Sequence, residues 1–153
     1  MAIYLVQHGL SLPKHEDLEN GLSKQGVAET EQIAQVAKGY HVAVDRICHS
    51  GKKRAYQTAE ILGRALSPPN GLDCAQGLNP LNDVQPWSLR LATQDNLMLV
   101  GHLPFMEKLT GYLTTGKADL APFKFQNSGI VCLDRNEETD RWFIQWTLSP
   151  HIG

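Results

Sequence analysis

Compact apolar runs and longer amphipathic stretches take turns along the chain. Ile3-Tyr4-Leu5-Val6 is a short apolar run suited to a buried strand, and a polar loop over residues 10–20 follows it. Val27, Ile33, Ala34 and Ala37, together with Thr30, recur at helical spacing. They predict a helix from about Lys24 to Lys38, with Ser23 as N-cap and Gly39 as its stop. The third residue after Ser23 is Gly26, so no full capping box forms. Residues 42–48 read as a second strand. A helix capped by Ser50 is expected next, running to about Leu66, where Ser67-Pro68-Pro69-Asn70-Gly71 breaks it. Residues 72–86 look irregular, with at most a short edge strand near 73–76, and 87–93 have helical character. Leu97-Met98-Leu99-Val100 is a third apolar strand. Pro104 then opens a helix carrying Phe105, Leu109 and Leu113 and ending at Gly116. Strands at about 129–134 and 141–147 flank the acidic turn Asn136-Glu137-Glu138-Thr139-Asp140 and are expected to pair antiparallel.

Strands alternating with helices predict an α/β fold. The expected form is a three-layer α/β/α sandwich around a mixed, mostly parallel central sheet, with residues 1–153 as a single domain. A hydrophobic content of 42% and a charged content of 20% suit such a globular chain. The formal net charge of −2 creates no global field toward nucleic acid or an anionic membrane, so neither is expected as a partner. No apolar stretch approaches the roughly 20 residues of a bilayer span. The first residues lack a basic region and a long apolar core, so no signal peptide is expected and the compartment reads as cytoplasmic. Cys48, Cys74 and Cys132 are widely spaced and form no metal pattern, consistent with reduced thiols.

The candidate chemistry lies where the three apolar strands end. Gln7-His8-Gly9 follows the first, His49-Ser50 and then Arg54 the second, and Gly101-His102 the third. Ligands of open α/β sheets bind beyond the carboxyl ends of the strands, so these ends read as one site. Neutral imidazole attacks phosphorus well and can carry a phosphoryl group covalently. Arg54 can meet the equatorial oxygens of a transferring phosphoryl group with a planar fork of donors, and it lies in the first turn of a helix. His102 follows a glycine and precedes a helix, so it too can face an anion. This cradle needs no metal and no cofactor.

These motifs carry a family resemblance. The chain is similar to the histidine phosphatase superfamily, and within it to the small SixA-type phosphohistidine phosphatases. That family opens on a strand ending Arg-His-Gly, where this chain has Gln7-His8-Gly9. Its Leu-Thr-x-x-Gly resembles Leu22-Ser23-Lys24-Gln25-Gly26, and its Ser-x-x-x-Arg-Ala-x-Gln-Thr resembles the run from Ser50 through Arg54 to Thr58. Its Gly-His-x-Pro matches Gly101-His102-Leu103-Pro104. Weaker likenesses to the SixA branch lie in residues 78–84 and in the ending Trp146-Thr147-Leu148-Ser149-Pro150.

The resemblance implies that His8 is the nucleophile, that Arg54 and His102 bind phosphoryl oxygens, and that Ser50 either bonds the phosphate or, preferably, caps the helix. Gln7 departs from the family arginine. Glutamine offers at most two N–H donors and no charge. Losing one well-placed donor to a developing anion costs about 3 kcal/mol, or roughly a hundredfold in rate. The family's acid for alcohol leaving groups has no counterpart at Leu78-Asn79-Pro80, and Asp83 is the nearest carboxylate. A phosphoramidate leaving group needs less help, which favours phosphohistidine on a partner protein, such as a phosphotransfer domain, as substrate. Too few residues separate Arg54 from His102 for a large lid, and an open site suits a protein substrate. Two other readings stay open: a weak or inactive phosphate-binding module, and a general small phosphomonoesterase. His15, Glu16 and Asp17 read as a solvated loop rimming the pocket, His49 as structural, and Trp87, Trp142 and Trp146 as packing residues.

Overall fold

A computed structural model describes residues 2–152. Six strands form one sheet in the order β3-β2-β4-β1-β5-β6: β1 (Ala2–Gln7), β2 (Arg46–His49), β3 (Leu72–Cys74), β4 (Leu97–Gly101), β5 (Ile130–Asn136) and β6 (Arg141–Leu148). The four strands from β3 to β1 run parallel, and β5 and β6 add antiparallel ladders. The mixed, mostly parallel sheet is therefore as expected.

Period-two alternation sorts the strand side chains into two cores. Ile3, Leu5, Leu97 and Leu99 pack with Trp87 and Leu91 of α3 (Gln85–Leu91) and with Phe105, Met106 and Leu109 of α4 (Phe105–Thr115). Tyr4, Val6, Met98 and Val100 pack on the other face. There they meet Ile33, Ala34 and Ala37 of α1 (Lys24–Gly39) and Ala55, Ala59 and Leu62 of α2 (Lys53–Leu66). Helices thus cover both faces. In β6 a bulge against Cys132 and Leu133 switches the buried face, so Trp142 enters the first core and Trp146 packs with the second.

Several boundaries differ from expectation. β2 begins only at Arg46, because the backbone before it is engaged elsewhere. The Tyr4 hydroxyl donates to the Ala43 carbonyl (3.0 Å), and the Asp45 amide donates to the Asn96 carbonyl (2.9 Å). Gly39 is the last residue of α1 rather than its stop, and the left-handed backbone falls on His41 (φ 56°). Ser23 caps α1 as expected, accepting from the Gly26 amide. Ser50 does not cap α2. Lys52 occupies that position without a side-chain bond, and the Ser50 hydroxyl is turned toward His102.

Candidate active site

The strand order brings the three motifs together. β4 lies between β2 and β1, so His102 beyond β4 is flanked by Ser50 beyond β2 and His8 beyond β1. The His8 and His102 rings lie 5.1 Å apart between centroids, and Ser50 Oγ is 2.6 Å from His102 Nε2.

Three neighbours fix the backbone of His8. Its amide donates to the Gly101 carbonyl at 3.0 Å, extending the β1–β4 ladder. Its carbonyl accepts from Asn127 Nδ2 (3.0 Å) and, at 3.3 Å, from the Ser128 amide, which also donates to the Gln7 carbonyl at 2.9 Å. The next amide, that of Gly9, is buried and donates to Thr58 Oγ1 at 2.9 Å; Thr58 in turn donates to the Arg54 carbonyl. One helix therefore carries Arg54 and also anchors the peptide after His8. Side chains are excluded at Gly9, where a Cβ would lie 2.8 Å from Thr30 Oγ1 and 3.1 Å from Ser128 Oγ. Those two hydroxyls bond each other at 2.7 Å.

The ring geometry of His8 assigns its tautomer. Nδ1 lies 2.7 Å from the Gly9 carbonyl, which can only accept, so Nδ1 carries the proton and Nε2 keeps its lone pair. Burial, reinforced by the charge of Arg54, pushes His8 down to about 4 against the opposing pull of the Gly9 carbonyl. Burial first, then His8, Arg54 and Lys52, push His102 down to about 3. Both rings are neutral near pH 7. Burial lowers the Arg54 guanidinium, which nonetheless stays a cation. The site thus pairs an unprotonated imidazole nitrogen with a guanidinium.

Gln7 lies at the end of β1, opposite Gly101, with Oε1 buried and no donor facing it among the described residues. His102 Nδ1 is likewise buried with no partner among the described residues. Asp83 is exposed, and Oδ1 accepts from the Gln85 amide at the start of α3. His49 is buried against Tyr56, with Nδ1 accepting from the Gly51 amide, in agreement with a structural role. His15 faces Glu16 at 3.9 Å, while Asp17 pairs with Lys53, which ties the loop over residues 10–20 to α2. Among the described residues, no three His, Cys, Asp or Glu side chains gather as metal ligands.

Sequence reasoning missed Thr58, Asn127 and Ser128 as supports. Thr58 stood inside a quoted motif. Asn127 and Ser128 stood in a polar turn before β5, and only the antiparallel pairing of β5 with β1 brings that turn to His8.

The model of the histidine phosphatase superfamily (branch 1) matches residues 3–76, a span that includes His8 and Arg54 and stops short of His102. The chain is 28% identical over 156 residues to the phosphohistidine phosphatase SixA of Escherichia coli K12, covering 98% of this chain and 94% of that one. An uncharacterised protein of Picosynechococcus is 33% identical over 112 residues, covering 68% of this chain and 67% of that one. A solved structure of the protein histidine phosphatase SixA complexed with tungstate superposes with a TM-score of 0.85 at 27% identity, over 98% of this chain and 97% of that one. The chain belongs to the histidine phosphatase superfamily.

Proposed function

We propose that this phosphatase is a cytoplasmic enzyme that hydrolyses phosphohistidine on a partner protein through a phosphorylated His8. The reading rests above all on the tautomer of His8: the Gly9 carbonyl holds the proton on Nδ1 and leaves Nε2 free to attack. Nε2 bonds to phosphorus as the P–N bond of the substrate breaks, and the leaving imidazole takes a proton from solvent. Water then attacks the phosphorus, the bond to Nε2 breaks, and orthophosphate and neutral His8 result. Arg54 and His102 meet the charge on the phosphoryl oxygens, His102 Nε2–H exchanging its bond to Ser50 Oγ for one to the phosphoryl group, with the Gln7 amide and the Ser50 hydroxyl released from that bond as further donors. A relative that binds tungstate, a tetrahedral oxyanion, supports an oxyanion cradle here.

Asp83 is spent on the start of α3, which disfavours an alcohol leaving group and the general phosphomonoesterase reading. One observation favours the weak or inactive phosphate-binding module: Gln7 is uncharged and its buried Oε1 lacks a donor. The test compares wild type, His8→Ala and Gln7→Arg on a histidine-phosphorylated protein and on an aryl phosphate. Turnover of the phosphohistidine protein is expected, abolished by His8→Ala and raised roughly a hundredfold by Gln7→Arg. Equal activity in wild type and His8→Ala overturns the mechanism. Phosphate binding without turnover supports the module instead.

A further inference from the structure

A groove of about 540 Å³ adjoins the phosphoryl cradle through Arg54, which lines it. The groove is also lined by Leu18, Glu19, Asn20, Lys52, Lys53 and Tyr56. Leu18 is 87% exposed, yet it does not sit on a loose loop. Asp17 accepts from the Glu19 and Gly21 amides and pairs with Lys53, Asn20 Nδ2 donates to the Leu12 carbonyl, and the Leu22 amide donates to Gln57 of α2. Across the groove Tyr56 is 43% exposed, held by its bond to Glu60 and by its edge contact with His49. Single exposed apolar side chains are ordinary on surfaces. Two that are rigidly held on either side of one groove opening onto Arg54 make a prepared contact. Lys53 is paired with Asp17 and lies 3.9 Å from Glu19, whereas Lys52 stands exposed with no ion pair among the described residues, so Lys52 and Arg54 leave the groove net positive.

We infer that this groove docks the protein surface around the phosphorylated side chain: a folded partner presenting apolar residues to Leu18 and Tyr56 and a carboxylate to Lys52. The inference rests on the phosphohistidine reading above. A phosphoryl group alone fills only the cradle, so the groove adds affinity for a protein substrate and none for a small phosphoramidate.

Two measurements test this. The first is KM for a histidine-phosphorylated phosphotransfer domain and for phosphoramidate, in wild type, Leu18→Asp and Tyr56→Ala. KM for the protein is expected to rise at least tenfold on burying a charge at position 18, with kcat/KM for phosphoramidate unchanged. Unchanged KM for the protein in both variants overturns the inference, as does an equal loss on both substrates. The second is calorimetric binding of the phosphorylated protein to His8→Ala, with and without Leu18→Asp, which reads the surface independently of turnover. At least tenfold weaker binding is expected, and equal affinity overturns the inference. Wild type that turns over neither substrate overturns the functional reading alone, and the binding experiment still decides the groove.

Discussion

Thr58→Val isolates the contribution of one hydroxyl to the site. Valine keeps the shape and β-branching of threonine, so no cavity opens. The hydroxyl accepts from the buried Gly9 amide at 2.9 Å and donates to the Arg54 carbonyl at 2.7 Å. The carbonyl keeps its place in the helix ladder, but the Gly9 N–H is left without an acceptor. An orphaned buried donor costs about 1–3 kcal/mol. For a chain of this size that lowers Tm by roughly 2–4 °C per kcal/mol. The same residue carries the carbonyl that fixes the His8 tautomer, so kcat should also fall, by about ten- to a hundredfold. Thr110→Val is the control: Thr110 is equally buried, but its hydroxyl only donates to the Met106 carbonyl of its own helix, so its loss strands no donor. Urea denaturation and phosphohistidine kinetics on both variants provide the comparison. A stability loss at Thr58 no greater than at Thr110, with kcat unchanged, would refute the role assigned to the Gly9 anchor.

Two further outcomes follow from geometry and charge. His8 has a folded value of about 4 against an ordinary 6.5, and His102 one of about 3, so both are neutral when folded and take up protons on unfolding below pH 6.5. Their contribution to stability is complete above pH 6.5 and is lost as pH falls toward 4, by roughly 3 kcal/mol for His8 alone. Chemical denaturation across pH 4–8 should show this decline, and His8→Asn should flatten part of it; a flat profile in wild type contradicts the neutral pair. Gly26→Ala should destabilise the protein although alanine is the better helix former by about 1 kcal/mol. Its Cβ would lie 2.1 Å from the Leu10 carbonyl, a backbone atom that Ser23 also bonds, so loop and helix must part. A thermal melt showing a higher Tm for Gly26→Ala would contradict that close approach.

Much of the site was legible because its signals are local. His8, Arg54 and His102 each stand next to a strand end or helix start that the chain marks with its own apolar period and glycines. Ser50 misleads for the same reason. A serine three residues before a helix looks like a cap, and only the distance to His102, 52 residues away in sequence, shows what its hydroxyl does. Asp83, the nearest carboxylate in the sequence, is occupied at the start of α3. The second strand is shorter than its apolar pattern predicts because β-branched residues at 42 and 44 suit a strand, while their neighbours' backbone groups are claimed by Tyr4 and Asn96.

By itself the sequence determined the α/β class, the parallel core strands, the chemical types at three strand ends and the loss of charge at Gln7. These depend on periodicity and residue chemistry, which act over a few positions. The tertiary structure alone decided that β4 inserts between β1 and β2, placing His102 between His8 and Ser50. It also decided that the turn before β5 grips the His8 carbonyl and that α2 holds both Arg54 and the Gly9 amide. Strand order and such clamps arise from contacts between residues far apart in the chain. Their energies depend on how the two cores pack around the sheet, which no local pattern records.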